Sequence, residues 1–169
     1  MSVPPLASIV VGVLAERRPA VTRWVDHVWA VTDVLLDPPD MAPWTVLHEQ
    51  DGTTRFFAGT AELDLFRTET DNLKHNTEAP DPRIWVVLRP GEGEPGMLLQ
   101  RVTVDPGEAH LFADVGNDHL ESLPMPAPLL EAIRAFVARH HEERQFFKRK
   151  RDRADPEALG RRMTDFDDE

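Results

Sequence analysis

WTVLHEQDGTTRFFAGTAELDLF, residues 44–66, is the stretch that decides the fold, because it predicts a long β-hairpin. Asp51-Gly52 lies between two runs rich in β-branched and aromatic residues, and this pair favours a type I′ turn, in which both residues need a positive φ. In the second arm Leu63 alternates with Glu62 and Asp64, as in a strand with one buried face. We expect a bulge or bend at Gly59, where the arm is long.

Further strands are expected on both sides of this hairpin. Each run is short, apolar and bounded by proline, glycine or charged residues, which end strands. The predicted strands are residues 8–16, 27–36, 83–89, 97–104 and 120–123.

Three helices are predicted between and after the strands. Asp105 followed by Pro106 and Glu108 is a typical helix start, with a side-chain cap at Asp105 and a glutamate three residues later. Residues 68–76 are polar and predict a short helix. The main helix follows Pro126 and carries an apolar stripe at helical spacing, formed by Leu129, Leu130, Ile133, Phe136, Val137 and His140.

Together these elements predict an α+β protein. We expect a mostly antiparallel twisted sheet of about five to seven strands with two or three helices, and the C-terminal helix packs on the sheet. The predicted domain is residues 1–146, and residues 147–169 are expected to form a charged tail. The chain has 169 residues, enough to bury a core without cross-links.

Composition excludes several functions. The chain has no cysteine, so disulfides, zinc ribbons, iron–sulfur clusters and thiol catalysis are ruled out. The apolar run at residues 7–15 is too short to span a bilayer, so we expect no membrane insertion and a cytoplasmic location. The net charge is −11, and the acidic excess lies before residue 144, which disfavours nucleic acid as a partner.

No catalytic residue, metal site or cofactor is predicted. The glycine-containing loop at residues 91–96 carries two glutamates and no lysine, so it is not a phosphate-binding loop. His140 and His141 are adjacent and diverge by about 100° on a helix, so that helix does not offer both to one ion. Glu62 and Asp64 share a strand face, which a solvated acidic surface explains.

Two groups of residues are candidates for binding. The first is a cluster that could stack a ring or pair with phosphate, formed by Arg17, Arg18, Trp24, His27 and Trp29. The second is a basic run beside aromatic residues that could dock a protein partner, formed by Phe146, Phe147, Lys148, Arg149, Lys150, Arg151 and Arg153.

Segments along nearly the whole chain resemble one bacterial family. They are GVLAERR, WVDHVWAV, APWTVL, DGTTRFFAGTAELDL, RIWVVLR, VTVDPGEAHLFAD, LPMP and FKRKRDRADPEALGRR. The family is a proteobacterial domain of unknown function, and its members tend to be encoded beside molybdenum-dependent formate dehydrogenase subunits and their chaperones. The resemblance therefore implies a non-enzymatic accessory role in maturation or assembly of such an enzyme, with a formate dehydrogenase subunit or its chaperone as partner.

Three alternatives stay open beside the accessory role. One is a small-molecule binder that handles the molybdenum cofactor or a nucleotide through Arg17, Arg18, Trp24 and Trp29. Another is a metal-dependent enzyme that uses the histidines and carboxylates. The third is a protein of no assignable activity.

Overall fold

Seven strands and three α-helices make up the computed structural model, which describes residues 3–142. The strands are β1 (Ala7–Pro19), β2 (His27–Leu36), β3 (Thr45–Gln50), β4 (Thr53–Leu65), β5 (Arg83–Pro90), β6 (Met97–Thr103) and β7 (His119–Pro124). The helices are α1 (Thr70–Glu78), α2 (Pro106–Ala113) and α3 (Ala127–His140), and a 3₁₀ turn, Arg67–Glu69, precedes α1. The predicted α+β class is confirmed.

The strands divide into two antiparallel sheets. The first has the order β2-β1-β4-β3 and the second the order β6-β5-β7. The sequence patterns located the strands but not this division, because strand pairing between distant segments leaves no local signal.

The hairpin of β3 and β4 forms as predicted. Asp51 and Gly52 have φ values of 54° and 80°, both positive as a type I′ turn requires. The bulge expected at Gly59 is also present: Val13 pairs with Gly59 and Leu14 with Phe57, so one residue of β4 is left over. Gly59 has a φ of 133°, a conformation that side chains other than glycine rarely adopt.

One hydrophobic core joins the two sheets and the helices. Val11 and Val13 from β1 and Ile84 and Val86 from β5 are fully buried in it, together with Ile133 from α3. The stripe predicted for α3 is confirmed, since its buried residues are Leu129, Ile133, Phe136 and Val137. The C-terminal helix therefore closes the core over the sheets.

Strand β1 is longer than the sequence indicated. It continues to Pro19, because β4 pairs with it as far as Arg17 and β2 as far as Pro19. Pairing with the neighbouring strands thus outweighs the low strand preference of Pro19. Within residues 3–142 no helix is both long enough and apolar enough to cross a membrane.

Candidate functional site

The loop between β1 and β2 and the turn between β3 and β4 lie at the same end of the first sheet. Antiparallel pairing requires this, since Arg17 near the end of β1 pairs with Thr54 at the start of β4. Pro19 faces His27 across the first connection, and Gln50 faces Thr53 across the second. A Cβ atom at Gly52 would lie 3.4 Å from the ring of Pro19, so the two connections touch. We call this region, residues 16–29 with 48–56, the hairpin end.

An apolar tip projects from the hairpin end. The loop is closed by the Ala20 N–H, which donates to the Asp26 carbonyl at 3.3 Å. Trp24 in this loop is 93% exposed, and Val21, Val25 and Val28 are each more than half exposed. Four large apolar side chains within eight residues of one exposed hairpin form the kind of surface that partners cover.

Aromatic rings and one arginine pack on one face of the hairpin end. The Trp29 ring stacks on Phe56 with centroids 5.7 Å apart and meets Trp44 edge-on at 5.6 Å. The Arg17 guanidinium lies 5.9 Å from the Trp29 centroid and 5.4 Å from that of Phe56, which is cation–π distance. These contacts fix the base of the tip.

Ion pairs occupy the opposite face. Glu16 is buried and accepts from Arg18 Nε at 2.7 Å, and Arg55 Nε lies 3.6 Å from its other oxygen. The hydrogen bond from Arg18 holds the pKa of Glu16 below its ordinary value, assisted by the charges of both arginines and opposed by burial. Glu16 is therefore an anion that anchors two arginines beside the tip.

The structure separates the five ligand-binding residues predicted from the sequence. Arg17 and Trp29 come together, because they are direct partners across β1 and β2. Arg18 lies on the other face with Glu16, since consecutive strand residues point to opposite sides. Trp24 is in the exposed tip, and His27 is exposed at the first position of β2. A single pocket that uses both arginines and both tryptophans is not assembled here.

The basic and aromatic segment from Phe146 to Arg153 lies outside the described residues. The proposal that it docks a partner stays a prediction.

A cluster of three carboxylates lies at the start of α2. Glu69 follows β4, and it comes within 4.8 Å of oxygens of Asp105 and Glu108. The predicted cap is confirmed, because Asp105 Oδ1 accepts from the Gly107 N–H at 2.8 Å. The helix-start pattern pointed to Asp105 and Glu108, but no signal in the sequence connected them with Glu69, thirty-six positions earlier in the chain.

Glu69 is the unusual acid in this cluster. Burial, together with the negative charges of Asp105 and Glu108, raises the pKa of Glu69 to about 7. Arg101 opposes this shift weakly, since its Nε donates to Glu108 rather than to Glu69. Glu69 therefore titrates near neutral pH.

The cluster fits a retained proton better than a metal ion. Asp105 Oδ1 already accepts from Asn72 and from Gly107, and the two oxygens of Glu108 accept from Arg101 and Thr103. Calcium needs six to eight oxygen ligands, and Arg101 adds a positive charge that repels a cation. Donors of the protein itself thus already engage Asp105 Oδ1 and both side-chain oxygens of Glu108.

The structure defines the protein as an α+β domain of two antiparallel sheets and three helices, with an apolar hairpin tip. By sequence, the chain belongs to the family described as protein of unknown function DUF3305, whose model matches residues 10–151. The expected membership in a family of unknown function is thereby confirmed. No curated protein and no solved structure is significantly similar to this chain.

Proposed function

We propose that this protein is a non-catalytic accessory protein that docks a protein partner through its hairpin end during maturation or assembly of a molybdenum-dependent formate dehydrogenase. We place the protein in the cytoplasm, where proteins rarely contain disulfides, and its lack of cysteine is consistent with that location. Its partner is a subunit of the dehydrogenase or a chaperone of that subunit.

The exposed Trp24 is the observation that carries the docking part of the proposal. A tryptophan side chain buries 150–250 Å² when it is covered and is enriched among residues that dominate binding energy. The hairpin offers Trp24 on a short closed loop whose base is fixed by the packing of Trp29 and Phe56. A pre-positioned anchor loses little conformational entropy on binding.

The identity of the partner rests on a different argument. The sequence resembles a family whose members tend to be encoded beside formate dehydrogenase subunits, and proteins encoded together often act together. The acidic charge of the first 143 residues favours a protein partner over nucleic acid or an anionic lipid surface.

The experiment is affinity capture of tagged full-length protein from its native host, with mass spectrometry of the retained proteins. Three proteins are compared: the unchanged chain, Trp24→Ala, and Leu111→Ala as a matched control. Leu111 is 69% exposed on α2, an element outside the hairpin end, so the control also removes an exposed apolar side chain.

The expected result is recovery of a formate dehydrogenase subunit or its chaperone by the unchanged chain and by Leu111→Ala, with about tenfold less recovered by Trp24→Ala. Equal recovery by all three would refute docking through the tip. If only unrelated proteins are recovered, and their recovery again depends on Trp24, the proposed role in formate dehydrogenase assembly is refuted, whereas docking through the tip is supported.

Deletion of residues 146–169 tests the second predicted docking segment separately. We expect the deletion to weaken capture, because the basic and aromatic residues from Phe146 to Arg153 are proposed to contact the same partner. Full recovery by the shortened chain would exclude that segment from the interface.

A further inference from the structure

A cleft runs between α1 and α3, on helices that take no part in the hairpin end. It has a volume of about 430 Å³, which lies within the range of small-molecule sites. Thr77 and Glu78 from the end of α1 line one side, and Arg134 and Val137 from α3 line the other.

The cleft is basic although the protein is acidic. Lys74, Arg134 and His141 line it, and Glu78 is the one acid among its lining residues in the described part of the chain. The net charge of the whole chain is −11, so a concentration of basic groups in one cleft departs from the overall balance. Opposite charge in a concave site is what an anionic ligand requires.

Two of these basic groups are held in position by the protein. Arg134 Nη2 donates to the Thr77 carbonyl at 3.1 Å, which uses one of the five N–H donors of a guanidinium. His141 is largely buried, with Nδ1 3.1 Å from Thr70 Oγ1 and 3.5 Å from a carboxylate oxygen of Asp71. Thr70 and Asp71 thus hold the imidazole of His141 in place, and the ring borders the cleft.

The cleft also has an apolar part. Val137 is buried except for a small area, and Ala138 follows it in the lining. A ligand that fills the cleft therefore meets a hydrocarbon surface as well as cationic groups. This combination selects a molecule with an apolar body and a charged end.

We propose that the cleft between α1 and α3 binds a small organic anion whose carboxylate or phosphate group pairs with Arg134 and Lys74 and whose apolar part packs on Val137. Arginine suits this role because its planar donors match either oxyanion in a bidentate manner. The inference is independent of docking through the hairpin end.

The test is a titration of the ¹⁵N-labelled full-length protein by NMR with three probes of equal chain length: hexanoate, hexyl phosphate and 1-hexanol. We expect saturable shifts of the Thr77 and Val137 amides with at least one anion and about tenfold weaker binding of hexanol. A comparison of the affinities for hexanoate and hexyl phosphate shows whether the cleft prefers a carboxylate or a phosphate group.

Two arginine variants provide the control. Arg134→Gln should weaken binding of the anion about tenfold, whereas Arg139→Gln, which removes an equal charge outside the lining of this cleft, should leave it unchanged. Thermal unfolding of both variants checks that the fold persists, and Lys74→Gln serves as a second cleft variant if Arg134→Gln unfolds. No shifts at Thr77 and Val137 with either anion, equal binding of hexanol, or equal losses in both arginine variants would overturn the proposal.

Discussion

The carboxylate of Glu121 on β7 accepts the backbone N–H of Val31 on β2 at 2.6 Å. The two residues belong to different sheets, and each strand is at the edge of its own sheet. An edge strand presents unpaired backbone N–H groups. When such an N–H group is buried, it destabilises the fold unless an acceptor binds it. Glu121 supplies that acceptor and fastens the two sheets together, with His119 Nε2 2.9 Å from the same oxygen.

Replacing Glu121 by alanine should lower the free energy of unfolding by about 1–3 kcal/mol, because the buried Val31 N–H loses a charged acceptor. Urea denaturation measures the loss, and hydrogen exchange should show a faster Val31 amide. Glu131→Ala, an exposed glutamate on α3, is the control and should change stability by less than about 0.5 kcal/mol. Equal stability of the two variants would show that the hydrogen bond between Glu121 and Val31 does not stabilise the contact between the sheets.

Asn76→Ala should cost about 2–4 kcal/mol of stability. The buried Asn76 side chain donates to the Arg83 and Val104 carbonyls at 2.8 Å each and accepts from the Arg83 N–H at 2.9 Å. Its removal leaves three backbone groups without that partner where α1 meets β5 and the end of β6.

His75→Ala is the matched control for Asn76→Ala, because His75 is exposed on the same helix. Thermal or urea unfolding of both variants measures the difference. A loss below about 1 kcal/mol for Asn76→Ala would mean that water replaces the amide without penalty.

Glu69 should make stability fall as the pH rises. Its pKa is about 7 in the folded protein and near 4.5 when unfolded, so between these values the folded state binds more protons. The stabilisation from its proton is complete below about pH 4.5 and is lost as the pH rises through about 7.

The variant Glu69→Gln should remove this dependence. We expect it to exceed the unchanged protein in stability by about 1–2 kcal/mol at pH 8, since solvent screens this partly exposed carboxyl, with the gain shrinking toward pH 5. Urea denaturation at pH 5, 6, 7 and 8 measures the trend, with Glu62→Gln on the exposed side of β4 as control. A pH-independent difference between Glu69→Gln and the unchanged protein would contradict the raised pKa.

Truncation of the two tryptophans of the hairpin end should have very different effects on stability. Trp29→Ala removes ring contacts with Trp44 and Phe56 and the cation–π contact with Arg17, and should cost about 2–4 kcal/mol of stability. Trp24→Ala removes an exposed side chain and should change stability by less than about 0.5 kcal/mol. Thermal unfolding compares them, and similar losses would show that Trp24 packs within the fold.

Sequence patterns predicted the local elements of this protein well. The turn at Asp51-Gly52, the bulge at Gly59, the cap at Asp105 and the buried stripe of α3 were all predicted correctly. These features depend on the conformational preferences of neighbouring residues or on the periodicity of one helix or strand. Both kinds of signal are contained in a short stretch of sequence.

The sequence alone therefore determined which segments form strands and helices, and it indicated an antiparallel α+β fold. Tertiary structure decided that the strands form two sheets, that Glu121 joins them, and that Glu69 meets Asp105 and Glu108. It also placed Arg17 with Trp29 but Arg18 with Glu16, on the opposite face. These outcomes depend on pairings between segments far apart in the chain, whose energies come from burial and hydrogen bonds that exist only once the segments are packed together.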